Sequence, residues 1–197
     1  MESSEGWFPA PARRIAGGIG IIATTATSCI VAGNSSPSTL QATVATNCSA
    51  QNYGSGAGIN AFTAENCFGQ SNSGFGITAQ AAQNSYGFST GGVGLNANAA
   101  TNCYGQSTNS NGIRAITATG CYGYSELNRG ISCDIATASN GVCASGASFG
   151  IKAAHIAHSS YGSSSTGIGL DAYIANSCRG DNASGPSVSA SFKYNMP

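Results

Sequence analysis

A chain of 197 residues with 7 basic and 7 acidic side chains has no net formal charge, and only 7% of it is charged, where an ordinary soluble domain carries about 25%. That scarcity excludes long solvated helices, and the balance of signs with a pI near 6.7 excludes a nucleic-acid binder working through a basic stripe. No run approaches the ~18 apolar residues of a membrane-crossing helix, so membrane insertion is not expected.

Residues 1–14, MESSEGWFPAPARR, form a non-repeat segment without the apolar stretch of a secretory leader. It holds the only Trp, Trp7, beside Phe8. Both are expected to fold over the first coil of the repeat region, as a cap or an assembly contact.

From residue 15 to residue 190 the chain repeats itself. One row reads Cys29, Cys48, Cys67, Ser85, Cys103, Cys121, Ser139, Ser160 and Cys178, at intervals of 18, 19 or 21 residues. A second row reads Ile21, Leu40, Ile59, Ile77, Leu95, Ile113, Ile131, Ile151, Leu170 and Val188, usually preceded by Gly and followed two residues on by Ala. In each copy two short segments alternate with period two, as in Ile113-Arg114-Ala115 and Cys103-Tyr104-Gly105, which predicts two strands per copy. A unit of this size cannot bury its apolar face alone, so copies stack, each residue above its equivalent. The expected fold is all-β: a single-domain parallel β-solenoid of about nine coils of 18–19 residues, on the order of 40 Å long at strand spacing. A left-handed β-helix also has 18-residue coils and is the alternative, although its six-residue aliphatic subperiod is not visible. Residues 191–197 read as a short C-terminal tail.

The rows G-I-x-A and N-C-Y-G-x-S, seen at Gly112–Ala115 and Asn102–Ser107, resemble the right-handed parallel β-helix repeats of bacterial secreted and surface proteins, the solenoid class of pectate lyases and phage tailspikes. The likeness covers residues 15–190. It implies the architecture and an extracellular or cell-surface setting, but not an activity, since this fold hosts lyases, hydrolases, adhesins and structural shafts.

Each row has a physical reading. The Ile/Leu row supplies the apolar burial, and the Ala, Gly and Ser rows keep the cross-section narrow. Asn47, Asn66, Asn84 and Asn102 either form a stacked amide ladder or permit a tight turn. Cys29, Cys48, Cys67, Cys103, Cys121 and Cys178 form one inward ladder in which Ser85, Ser139 and Ser160 stand in freely. Parallel neighbours would strain a disulfide, and a linear ladder does not make a tetrahedral metal site. The row is read as small buried residues, with no metal or cofactor expected.

Phe68, Tyr86, Tyr104, Tyr122 and Tyr161 form an outward aromatic stripe, read as self-stacking that shields the sheet or as a platform for sugar rings. Polysaccharide is therefore a possible partner. Lys152 and Asp171 share one outward position on adjacent coils, which predicts an ion pair. A catalytic site would have to use Asp134, Lys152, His155, His158 and Asp171, and no catalytic residue is assigned. Neither end carries an amphipathic capping helix, so units are expected to meet head to tail as a homo-oligomer or filament. The function expected is a non-enzymatic structural solenoid, a fibre or cell-surface shaft. A carbohydrate-binding, adhesin-like module is the second reading and a polysaccharide lyase or hydrolase the third.

Overall fold

A computed structural model of the chain describes residues 13–14, 20–34 and 38–196. Trp7 and Phe8 lie outside these residues. The described chain is all-β without a helix, its parallel sheets stacked as a β-solenoid of about nine turns.

Each coil contributes a four-residue strand to one sheet and a strand of about seven residues to the other, as in Tyr104–Ser107 and Leu95–Thr101. Register follows the repeat: Tyr104 pairs with Tyr86 and Tyr122, and Leu95 pairs with Ile77 and Ile113. The long strands bend. Two successive residues, such as Asn98 and Ala99, are exposed, and Asn98 drops out of a pairing that continues on either side of it. One coil breaks outright, into Ile113–Arg114 and Thr117–Thr119. The bend turns one sheet into two faces, which is how so short a coil encloses a core.

The core is a column. Leu40, Ile59, Ile77, Leu95, Ile113, Ile131, Ile151 and Leu170 are each fully buried, flanked by buried columns of Ala. Opposite them the two sheets touch backbone to backbone. A Cβ on Gly105 would collide with the carbonyl of Gly112, and one on Gly87 with that of Gly94. Glycine in both rows is therefore a packing requirement, set by interiors that leave no space between layers.

The Asn row resolves into a turn. Asn47, Asn66, Asn84 and Asn102 have φ of 53°, 51°, 48° and 51°, the left-handed conformation that Asn tolerates better than most residues. Gly120 occupies the same place at φ 62°. This residue swings the chain from the long strand to the short one.

Strand pairing extends beyond the repeat boundaries read from the sequence. Arg13–Arg14 pairs with Val31–Ala32, and the strand Val188–Tyr194 pairs along its length with Leu170–Asn176. Most of the stretch that reads as a tail is thus the last strand of the solenoid.

Candidate functional site

The aromatic stripe is the most developed outward feature. Phe68, Tyr86, Tyr104 and Tyr122 stand in register and partly buried on consecutive short strands. Their ring centroids lie 5.2, 4.7 and 5.1 Å apart, the last pair stacked at an interplanar angle of 7°. Asn140 interrupts the column before Tyr161, over which Arg179 lies at 5.8 Å. The Tyr161 hydroxyl donates to Asp181 Oδ2 at 3.1 Å, and Arg179 pairs with the same carboxylate at 3.0 Å. The hydrogen bond to Asp181 holds the Arg179 guanidinium above its ordinary range.

A second outward column, two residues further along each short strand, does not stand out in the sequence. It reads Gln51, Gln70, Phe88, Gln106 and Tyr124. The hydroxyls of Tyr86 and Tyr104 donate to Gln106 Oε1 at 3.0 and 3.4 Å, and Gln51 Nε2 donates to Gln70 Oε1 at 3.3 Å. The x of Y-G-x-S is its only signal, and it varies too much in residue type to be noticed. Burial raises the Tyr104 phenol, with Tyr86, Tyr122 and Tyr124 adding to the effect, and burial raises that of Tyr86. Sugars stack on ring faces. Here only Tyr104 and Tyr122 stack face to face, while Phe68, Tyr86 and Tyr104 meet tilted or edge to face, so the rings pack on each other and do not form one flat platform.

All eight cysteines are free and buried. The ladder position serves the left-handed turn, where its small side chain donates to main-chain carbonyls. Cys48 Sγ lies 3.3 Å from both Ala26 O and Thr46 O, and Ser85 Oγ donates to Gln83 O at 2.8 Å. Ser85 also accepts from the Cys67 N–H at 3.1 Å. Thiol and hydroxyl can both do this, which is why serine interrupts the ladder without disturbing it. Cys133, in the Ala column, is pushed up to about 12 by burial, with Asp134 and Cys121 adding charge repulsion. An uncharged thiol in such a place is a packing group.

Apart from the Tyr161–Arg179–Asp181 contact, the acids and bases singled out in the sequence meet only as one pair. Lys152 Nζ and Asp171 Oδ2 are 3.8 Å apart in the expected position. Both are partly exposed, and such a pair contributes no more than about 1 kcal/mol. His158 lies in a different column, in register with Thr137 and Asn176. Asp134 and His155 lie where the long strands bend, between the paired segments. Among the described residues no group of three could hold a metal ion. A hollow of about 370 Å³ lined by Ser55, Asn60, Phe75 and Thr78 has no ionisable side chain in its lining.

The C-terminal end departs from the repeat in two ways. In the inward column Ala157, Ala175, the next residue is Lys193, exposed and donating from Nζ to Val188 O at 2.8 Å. On the other sheet the outermost strand, Gly185–Pro186, runs antiparallel to Asp181–Asn182. An inward-pointing charge and a proline on an edge strand are both devices that stop a sheet from being extended.

No family model matches the chain, and no curated protein or solved structure matches it.

Proposed function

We propose that the chain is a non-enzymatic structural solenoid: a short, stiff shaft, of the right-handed class, working in an extracellular or cell-surface setting. Right-handed winding is supported by the general preference of parallel β connections, which wind that way in nearly all cases. The setting rests on the resemblance of the repeat to those of secreted and surface proteins.

The observation that carries the structural reading is the uniformity of the coils. From Leu40 to Leu170 one aliphatic column stays fully buried, and the short strands from Ser49–Asn52 to Tyr161–Ser164 keep one burial pattern. Lys152 and Asp171 meet as a surface ion pair, and Asp134, His155 and His158 lie in other columns or in the bend. A catalytic reading needs acid and base within reach of one bond. The aromatic stripe favours a structural role too, because its rings pack on each other.

Assembly by coil-on-coil stacking is the route the sequence suggests. The C-terminal end opposes it, since an incoming coil would meet Lys193 on one sheet and the antiparallel Gly185–Pro186 strand on the other. We therefore read the Lys193 coil as a block to stacking by a second copy, and the chain as a shaft that does not grow by coil-on-coil addition there.

The test is a screen of the purified chain on acidic and neutral polysaccharides, following unsaturated products and reducing ends. A shaft yields neither. Turnover that disappears in Lys152→Ala or Asp171→Asn would overturn the reading.

A further inference from the structure

The long strands carry an outward column that changes character along the solenoid. It starts small, with Thr25, Val44, Thr63, Ala81 and Ala99. After Thr117 it becomes large and apolar, with Ile135, Ile156, Ile174 and Phe192. Ile135 is 36% exposed, Ile156 37% and Phe192 47%. Exposed apolar surface in a contiguous row marks an interaction site, and the open question is what covers it.

The column is complementary to itself when reversed. A two-fold axis parallel to the strands, passing between Ala99 and Thr117, reverses the order of the coils and keeps each column facing its own copy. Ile135 then meets Ala81, Ile156 meets Thr63, and Ile174 meets Val44. Phe192 meets Thr25. Large residues thus face smaller ones on both sides of a small central pair, Ala99 and Thr117, the arrangement that lets two faces interdigitate as in a sandwich. The neighbouring outward column has a single acid, Glu65, and a single histidine, His158. The same axis puts them opposite each other.

We propose that this face of the long-strand sheet binds a second copy of the chain, side by side and antiparallel, in an isologous two-fold dimer. Self-complementarity in size and the Glu65–His158 match favour a second copy over an unrelated partner, because a closed two-fold contact must fit its own reverse. The face spans ten strands, about 43 Å at strand spacing. It is only a few columns wide, which places the contact at the small end of specific interfaces, where association depends on concentration. The inference goes beyond the shaft reading and does not depend on it: a positive polysaccharide screen would leave the subunit count unchanged.

Sedimentation equilibrium of the full chain tests it, with a charge introduced on one half of the face and then answered on the other. Wild type is expected to form a dimer and no larger species at concentrations on the order of 100 μM, the range open to an interface of this size. Ala81→Lys and Ile135→Glu, each alone, are expected to weaken the dimer by at least about tenfold. The double variant is expected to recover it, because the two sites face each other. Ile156→Lys, at a position already exposed, gives an independent loss if either single variant melts early by circular dichroism. Wild type that stays monomeric throughout, a dimer indifferent to the single charges, or a double variant no better than the singles would overturn the proposal.

Discussion

Lys193 occupies the inward position that Ala175 fills one coil earlier, and its Nζ donates to the carbonyl of Val188 at 2.8 Å. In a solenoid the last coil is the template for the next, so a long cation at an inward position acts on association more than on folding. Lys193→Ala continues the Ala column and is expected to promote end-to-end association, seen as heavier species in sedimentation velocity. A variant that sediments like wild type would show that Lys193 is not a block.

The backbone contact between the sheets makes a sharper demand. Gly105→Ala places a methyl group against the Gly112 carbonyl, and neither sheet can move without disturbing the coils above and below. Overpacking of this kind costs about 1–3 kcal/mol. The midpoint of urea unfolding is expected to fall accordingly, whereas Gly185→Ala, where nothing lies within 4 Å but φ is 122°, tests backbone strain alone.

The ladder predicts a tolerated substitution. Cys67→Ser reproduces what Ser85 already does one coil later, a hydroxyl donating to the carbonyl two residues back. Cys67→Ala removes the one S–H shared between the Ala45 and Glu65 carbonyls, and Glu65 O keeps the Asn47 N–H. The alanine variant is expected to be the less stable of the two by about 1 kcal/mol. Equal stabilities would mean that the ladder needs only volume.

Legibility of the fold depends on period. The Leu/Ile, Ala, Gly and Cys rows recur at intervals of 18 to 21 residues, mostly 18 or 19, and keep closely similar residue types, so register and core follow from the sequence. The bend at Asn98 and Ile116 and the Gln106 column do not, because the residues there vary from coil to coil. Lys193 stands in plain view but reads as tail: of SFKYNMP only Asn195 falls on the consensus, at the left-handed turn, and only pairing with Ala175 reveals Lys193 as a core position. For the Asn row, residue type suits ladder and turn equally, and only its positive φ values decide for the turn.

Cys133 supplies a pH dependence. Its thiol is held at about 12 in the fold, above an ordinary value of 9.0, so the folded state keeps a proton that the unfolded chain releases. The stabilisation is complete below about pH 9 and is lost as pH rises through the folded value. Cys133→Ala, matching Ala115 and Ala153 in the same column, is expected to flatten the decline in stability between about pH 9 and about pH 12. A decline as steep as that of wild type would assign it to other groups.

Small-angle X-ray scattering over a concentration series tests the central claim, a shaft that pairs along its side and does not stack coil on coil past Lys193. The length should stay near that of one solenoid while the cross-section widens as dimers form. Growth in length at constant cross-section would contradict it, showing coils stacking end to end past Lys193.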